Sequence, residues 1–204
     1  AIDVGTRARV VMIIVVASLV AILTVPLTGR SLAPLAKLAL SRVWLVWISI
    51  GLQMLITLVP GFPNWLGQPV HLFTFALSAG FLWSNRQIPG VLLVALGAAM
   101  NLAAIAANGG TMPASEWAWR TAGFPPIMDE FENSNVVESA RLQWLGDVFA
   151  VPKGWPLANV FSVGDVVIVI AVAYLAHAWC RRTFPEALID TGSCESDRAV
   201  PGYV

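Results

Sequence analysis

Residues 163–180, VGDVVIVIAVAYLAHAWC, form the apolar stretch that decides the fold class. A helix needs about 20 mostly apolar residues to cross the ~30 Å hydrocarbon layer of a bilayer. Four more stretches approach that length, at residues 10–27, 43–59, 68–84 and 88–107. The pattern predicts an all-α, polytopic membrane protein, a bundle of five transmembrane helices with a long Trp-rich extracytoplasmic loop.

The composition of the whole chain agrees with this prediction. Of 204 residues, 57% are hydrophobic and 12% are charged, against roughly 25% charged residues in soluble domains. Because twelve Lys and Arg balance twelve Asp and Glu, there is no basic excess to attract nucleic acid. The chain has two cysteines and two histidines, none in a metal-ligand spacing, so we predict no metal site and no cofactor.

The segments between the apolar stretches differ in character. Residues 31–41 are predicted to be an interfacial connector. We expect the loop of residues 109–161 to fold onto the outer face of the bundle, with a short helix over residues 133–146. Residues 183–204 are predicted to be a polar, mobile tail outside the transmembrane domain of residues 1–182. Four tryptophans of the loop suit a membrane–water interface: Trp117, Trp119, Trp144 and Trp155.

The basic residues predict an orientation in a bacterial cytoplasmic membrane. Six of them fall on one side of the predicted bundle, which we assign to the cytoplasm together with the C-terminus: Arg30, Lys37, Arg42, Arg86, Arg181 and Arg182. The loop of residues 109–161 is then extracytoplasmic. Arg7 and Arg9, before the first helix, oppose this orientation. A cleaved signal peptide is an alternative for residues 1–30, but no small-x-small site follows, so we favour a retained helix.

Most polar residues of the predicted helices fall in the outer half of the bundle, where each is a candidate for function. They are Gln53, His71, Asn101, Asn108, Asp147 and Asp165. Structural alternatives exist for all of them. The Ser162-x-x-Asp165 pattern is also a capping box, and Asn108 precedes two glycines at a helix stop. Gln53 and Asn101 are also suited to hydrogen bonds between helices. His71 is suited to the membrane–water interface, and Asp147 to a turn or a helix end.

Several motifs resemble one bacterial family over roughly residues 20–180. They are Asn85-Arg86-x-x-Pro89-Gly90, Asn101, Asn108-Gly109-Gly110-x-Met112-Pro113, Arg141-Leu142-x-x-Leu145-Gly146-Asp147 and Phe161-Ser162-x-Gly164-Asp165. The family is the uncharacterised group of small membrane proteins called domain of unknown function 5317. The resemblance implies a bacterial cytoplasmic membrane and that these motifs belong together, and it implies no activity.

Residues 145–175 are also similar to the end of lipoprotein signal peptidases. In those enzymes one aspartate lies in an outer loop and a second near the start of the last helix, and Asp147 and Asp165 take these places. The resemblance implies two carboxyl groups that hold a water molecule, one protonated and one ionised. The Gly-Asn-x-x-Asp-Arg segment of those enzymes is absent here.

Three hypotheses follow for the function. The first is an intramembrane hydrolase that uses Asp147 and Asp165 on a lipid-linked or membrane-embedded substrate. Asn101, Asn108, Arg141, Gln53 and His71 would then bind the substrate, with Arg141 suited to a carboxylate or a lipid phosphate. The second is a non-enzymatic protein that binds a lipid or small molecule in the same outer pocket. The third is an accessory structural subunit that contacts another membrane protein.

Overall fold

The structure is a computed structural model that describes residues 4–59, 62–124 and 134–181. It is mostly helical, as predicted. The helices are α1 Val4–Leu27, α2 Ala33–Ala36, α3 Trp44–Leu58, α4 Asn64–Ser84, α5 Val91–Ala107, α6 Glu116–Ala122 and α7 Val163–Cys180. The strands are β1 Met112–Pro113, β2 Ser134–Asn135, β3 Phe149–Val151 and β4 Asn159–Phe161.

The long helices lie close to the predicted apolar stretches. Helix α7 has the predicted bounds, and α3 differs from them by one residue at each end. Helix α4 begins four residues before the predicted residue 68 because Pro63 precedes it in an extended conformation. Helix α5 begins at Val91 rather than residue 88, since Gly90 adopts a left-handed conformation that interrupts the helix. The predicted tail of residues 183–204 lies outside the described residues.

Within the described residues, one helix is both long and apolar enough to cross a membrane, Val163–Cys180. Three shorter apolar helical segments accompany it: Ile13–Leu27, Trp44–Leu58 and Val91–Ala107. Many large apolar side chains on these helices are exposed, among them Leu23, Trp47, Leu92 and Ile170. The five-span arrangement therefore stays a prediction.

Helix α7 lies between α5 and α1, and its contact with α5 is the most extensive between helices. The two are antiparallel, since Gly97 of α5 lies against Gly164 while Gly90, just before α5, lies against Leu175. Helices α1 and α7 are parallel, because Ala17 faces Val169 across one groove and Thr24 bonds to His177 at 2.9 Å. Helices α3 and α4 form the other close pair.

The connector of residues 31–41 is held against the C-terminal ends of α4 and α7 by two side chains. Trp179 Nε1 donates a hydrogen bond to the Pro34 carbonyl of α2 at 2.9 Å. The buried amide of Asn85 accepts from the Ser41 backbone N–H at 2.8 Å and donates to the Ser41 carbonyl at 2.9 Å. The C-terminal end of α4 is thereby fixed to the connector.

The described part of residues 109–161 contains short strands beside α6, so the all-α prediction is wrong there. Strands β1 and β2 pair in parallel, and β3 and β4 pair antiparallel. The helix predicted over residues 133–146 is also wrong. In residues 134–146 the chain forms β2, turns and one 3-10 turn at Gln143–Leu145, because Ser139 and Leu142 take positive φ values that an α-helix does not allow.

The loop tryptophans divide into two groups. Trp117, Trp144 and Trp155 are exposed, whereas Trp119 is buried and its ring contacts Phe124 at 4.8 Å between centroids. Trp119 is therefore part of the loop's own core, which corrects its prediction as an interfacial residue. Neighbouring Ala118 and Ala122 pack with Val160 of β4, so α6 is joined to the second sheet by apolar contacts.

Candidate functional site

Buried polar side chains concentrate where the loop of residues 109–161 meets the helices. Six residues from α5, α7, β2, β4 and the segments beside them form what we call the junction cluster, each less than a tenth exposed. They are Asn101, Ser134, Asp147, Asn159, Ser162 and Asp165. Polar groups in the interior require hydrogen-bond partners, so the bonds within this cluster decide what it can do.

Asp165 lies in the first turn of α7 and accepts hydrogen bonds from two directions. Its Oδ2 accepts from the backbone N–H of Ser162 at 2.9 Å, and its own N–H donates to Ser162 Oγ at 3.0 Å. These two bonds are the capping box that the sequence suggested. Its Oδ1 accepts from Asn101 Nδ2 of α5 at 2.8 Å, so the carboxyl group links two helices as well as capping one.

Asn101 completes this network from α5. Its Oδ1 accepts from the Ser162 hydroxyl at 2.8 Å while its Nδ2 donates to Asp165. The approach is close because Gly164 faces α5, and a Cβ there would lie 2.0 Å from Asn101 Oδ1. A glycine is therefore required at position 164. These bonds give Asn101 a positioning role toward Asp165, and its role as a substrate ligand stays a prediction.

Asp147 is fixed by main-chain bonds within the loop of residues 109–161. Its N–H donates to the Pro113 carbonyl at 2.9 Å, and its carbonyl accepts from Ser115 N–H at 3.0 Å. The preceding Gly146 allows this pairing, because a Cβ at that position would lie 2.0 Å from the Pro113 oxygen. The Leu145-Gly146-Asp147 motif thus places the carboxyl group beside the strand pair β1–β2.

The carboxyl group of Asp147 is 5% exposed. The pKa of Asp147 is raised from its ordinary 3.8 to about 7. Burial is the largest cause; the hydrogen bond from the Ser134 hydroxyl acts to lower the pKa, and the interaction with Asp165 acts to raise it. The two aspartates therefore act on each other electrostatically. A carboxyl group that titrates near neutral pH can both donate and accept a proton under physiological conditions.

Among the described residues, the side chain of Asp147 has one hydrogen-bond donor. Ser134 Oγ donates to Oδ2 at 2.5 Å, and no residue of the described ranges donates to Oδ1. Buried polar atoms without a protein partner mark places where a water molecule or a ligand group binds. Within the described ranges, Oδ1 of Asp147 is therefore a place where such a group can bind.

Two of the predicted binding residues, Gln53 and His71, are used elsewhere. Gln53 Oε1 accepts from the Thr74 hydroxyl at 3.2 Å, which links α3 to α4. His71 is buried, and its Nδ1 donates to the Gly110 carbonyl at 2.9 Å. This bond fixes the turn after α5. We assign both residues to helix and loop packing.

Asn108 and Arg141 are in contact, and the contact joins the side-chain amide of Asn108 to the main chain of Arg141. Asn108 Oδ1 accepts from the Arg141 N–H at 2.9 Å, and Nδ2 donates to the Arg141 carbonyl at 2.7 Å. The guanidinium group of Arg141 is exposed and forms no ion pair within the described ranges. Asn108 therefore anchors the loop to the end of α5, and the Arg141 side chain faces outward.

Ser134 and Asn159 belong to the junction cluster but were not candidates from the sequence. Asn159 is fully buried, and its Oδ1 accepts from the Val160 N–H at 2.8 Å. Ser134 reaches Asp147 through the parallel pairing of β2 with β1, which joins segments about twenty residues apart. Local patterns carry no signal for such a pairing.

The described residues include no group of three or more His, Cys, Asp or Glu that could hold a metal ion.

Residues 37–176 match the model of the Family of unknown function (DUF5317). The chain belongs to this family. The matched region contains the whole junction cluster, so the DUF5317 region and the buried polar site coincide. α1 and the last residues of α7 lie outside it.

One curated relative of this DUF5317 chain is an "Uncharacterized protein" of Thermotoga maritima. The two are 35% identical over 103 residues, which is 50% of this chain and 56% of the relative. The match thus spans about half the length of each protein. No solved structure matches the chain. The resemblance to lipoprotein signal peptidases stays a prediction.

Proposed function

We propose that the chain is a multi-pass protein of the bacterial cytoplasmic membrane, crossed by α1, α3, α4, α5 and α7. The exposed apolar side chains on these helices support the proposal, because soluble proteins rarely expose large contiguous apolar patches. The buried polar side chains between the helices support it as well, since a bilayer offers their polar atoms no water. In this proposal residues 109–161 lie outside and residues 31–41 lie in the cytoplasm.

Cysteine accessibility tests this topology. In a background with Cys180 and Cys194 replaced by serine, single cysteines are introduced as Glu138→Cys and Arg86→Cys, both at exposed positions. In intact cells, a membrane-impermeant maleimide should label the first variant, and the second only after the cells are permeabilised. Equal labelling of both variants in intact cells would contradict the orientation.

The junction cluster is proposed to be the active site of a hydrolase that acts on a lipid-linked or membrane-embedded substrate. The observation that carries this proposal is the buried Asp147, whose pKa of about 7 suits a general acid and base. Asp165 contributes a second carboxyl group, whose oxygens are oriented by Asn101 and Ser162. Two coupled carboxyl groups with different environments are a recurrent arrangement for acid–base chemistry.

The proposed step needs one water molecule and no other reagent. The ionised Asp147 takes a proton from water as the water oxygen forms a bond to the substrate carbonyl carbon. The bond from that carbon to the leaving group then breaks, and Asp147 returns the proton to the leaving group. The pKa of Asp147 that this exchange needs is raised chiefly by burial, and Asp165 adds a smaller effect in the same direction.

Incorporation of heavy oxygen tests the hydrolase proposal. The full chain, reconstituted in vesicles of total bacterial membrane extract in ¹⁸O-water, should place ¹⁸O in newly formed carboxyl products that mass spectrometry detects. Asp147→Asn should abolish this excess, and Glu138→Gln, an exposed acidic residue of the same loop, should retain it. Incorporation no higher than in protein-free vesicles, or unchanged in Asp147→Asn, would refute the proposal.

A second candidate is a non-enzymatic binding protein or accessory subunit that contacts membrane lipid or another membrane protein. The exposed Trp117, Trp144 and Trp155 of the outer loop favour it, because tryptophan is enriched both in protein interfaces and at membrane surfaces. In this case Asp165 serves as a helix cap and interhelical link, and the ¹⁸O experiment gives no excess over protein-free vesicles.

A further inference from the structure

Five basic residues gather at the end of the helical bundle where α1, α4 and α7 finish. We call this group the basic end, and its members are Arg30, Lys37, Arg42, Arg86 and Arg181. The four acidic residues of the described ranges all fall between Glu116 and Asp165, at the opposite end of α7. Arg181 is about 24 Å from Asp165 along the axis of α7 at the rise of an α-helix. The basic end therefore has a positive charge that no described carboxylate offsets.

Contacts with α7 gather three of the five cations. The hydrogen bonds that join α1 and the connector to α7 both lie in the last turn of α7. Arg30 is close enough for its charge to act on the thiol of Cys180. Lys37 ends α2, the short helix bonded to Trp179, and Arg181 directly follows α7. These three cations therefore surround the C-terminal end of α7.

Asn85 places the other two cations next to each other. Its side-chain amide binds both main-chain groups of Ser41, and the residue that follows each of these two is an arginine, Arg86 and Arg42. Both arginines are exposed. The side chain of Arg42 forms no hydrogen bond or ion pair with the described residues. Two exposed guanidinium groups therefore start from neighbouring points of the main chain.

The basic end borders exposed aromatic side chains. The guanidinium carbon of Arg86 lies 4.6 Å from the ring centroid of Trp83, and its Nη1 donates to the Trp83 carbonyl at 2.8 Å. Trp83 is 67% exposed, and Trp44, two residues after Arg42, is 58% exposed. Arginine beside exposed tryptophan suits the level of a bilayer at which headgroups meet hydrocarbon. An acidic protein or a free phosphate requires no such apolar border, so the border favours a lipid.

We propose that the basic end binds the phosphate of an anionic phospholipid, with Arg42 and Arg86 as its principal ligands. The inference rests on the proposed membrane location and is independent of the proposed hydrolase. A planar guanidinium group can donate two parallel hydrogen bonds to one phosphate group. Because the basic end has an uncompensated positive charge, a lipid with a net negative charge should be preferred over a zwitterionic lipid.

Native mass spectrometry of the full chain tests the proposal. The protein in detergent micelles receives equal amounts of phosphatidylglycerol and phosphatidylethanolamine with identical acyl chains, and the retained lipids are counted. We expect preferential retention of phosphatidylglycerol. Equal retention of both lipids would overturn the proposal, because it would indicate boundary lipid alone. Displacement of phosphatidylglycerol by an equal concentration of glycerol 3-phosphate would also overturn it, since the ligand would then be a free phosphate ester.

Single variants with a matched control locate the site. Arg42→Gln and Arg86→Gln should each lower the preference for phosphatidylglycerol about fivefold, which is the effect of one basic residue near an anionic lipid surface. Lys153→Gln removes an exposed cation from the loop of residues 109–161 and should leave the preference unchanged. An unchanged preference in folded Arg42→Gln, or an equal decrease in Lys153→Gln, would refute the proposal. If Arg86→Gln loses helical circular dichroism, Arg42→Gln alone decides.

The full chain is necessary because its sequence continues after the basic end with acidic residues. They are Glu186, Asp190, Glu195 and Asp197, and their charges also attract cations. The preference measured in the full chain therefore includes this competition, and its absence counts against the lipid.

The outcome is separable from that of the proposed function. A preference for phosphatidylglycerol combined with equal cysteine labelling in intact cells would refute only the proposed orientation. Equal retention of both lipids combined with the expected cysteine labelling would refute only the lipid site. The ¹⁸O experiment reports on the hydrolase in either case, because Arg42 and Arg86 lie far from the junction cluster, at the other end of the helices.

Discussion

Replacing Asp147 with asparagine should remove a pH dependence of stability that the buried carboxyl group creates. In the unfolded chain this group ionises near its ordinary value of 3.8, whereas in the folded protein its pKa is about 7. Between these two values the folded state keeps a proton that the unfolded state has released. Stability therefore falls as pH rises from about 4 to about 7, which is the direction expected for a raised carboxyl pKa.

The magnitude follows from the same two pKa values. Each pKa unit corresponds to about 1.4 kcal/mol, so full ionisation of Asp147 should cost on the order of 4 kcal/mol of unfolding free energy. Below pH 4 the group is protonated in both states and contributes no slope. Above pH 7 it is ionised in both, and the loss is complete. Asp147→Asn is neutral throughout and lacks this term.

Equilibrium unfolding in detergent micelles at unit steps from pH 4 to pH 8 measures the effect, with tryptophan fluorescence as the signal. The quantity of interest is the difference in unfolding free energy between the unaltered protein and Asp147→Asn, because other titrating groups cancel in it. That difference should change by about 4 kcal/mol across the range. Glu138→Gln, an exposed acidic residue of the same loop, should show no comparable change.

Two results would refute this reasoning. If the unaltered protein and Asp147→Asn have parallel pH dependences, the carboxyl group of Asp147 is not held in the protonated form by burial. If the unaltered protein gains stability relative to the variant as pH rises, the folded state favours the ionised carboxylate. The pKa would then lie below its ordinary value, and Asp147 could not act as the proposed acid.

Three other substitutions test the contacts around the site. Gly164→Ala should lower the unfolding free energy by about 1–3 kcal/mol through overpacking, while Gly51→Ala, with open space around its Cβ, should not lower it. In the same assay, Asn101→Ala should lower the unfolding free energy by about 1–3 kcal/mol, because the buried Asp165 Oδ1 loses its donor and the buried Ser162 hydroxyl loses its acceptor. An unchanged unfolding free energy would refute the positioning role of Asn101. Asn108→Ala should increase tryptic cleavage after Arg141 relative to cleavage after Lys153, and an unchanged ratio would contradict the anchoring.

The long helices and the cap of α7 could be predicted from local sequence because local forces determine them. Uninterrupted apolar residues define the α7 segment, and Ser162 placed three residues before Asp165 is sufficient to specify the capping box. The approach of Asn101 to Asp165 could not be derived in this way. It depends on how closely α5 and α7 pack, which is decided by glycines on two different helices.

The loop of residues 109–161 was predicted less well for a related reason. The apolar spacing in residues 133–146 suggested a helix, but pairing of β2 with β1 and positive φ values at Ser139 and Leu142 produce strands and turns instead. Ser134 enters the candidate site only through that pairing. Asp147 was found from its place in the Leu145-Gly146-Asp147 motif, whereas its burial depends on segments distant in sequence.

The two asparagines that end α4 and α5 make the same demand on the segments they hold, and it is a demand on the main chain only. Asn85 and Asn108 bind the N–H and C=O of residues 41 and 141 and leave the side chains of those residues out of the contact. Anchoring should thus tolerate almost any amino acid at positions 41 and 141 and exclude proline, which lacks the N–H. The anchoring bonds therefore place no constraint on the side chains at these two positions, which are the hydroxyl of Ser41 and the guanidinium of Arg141.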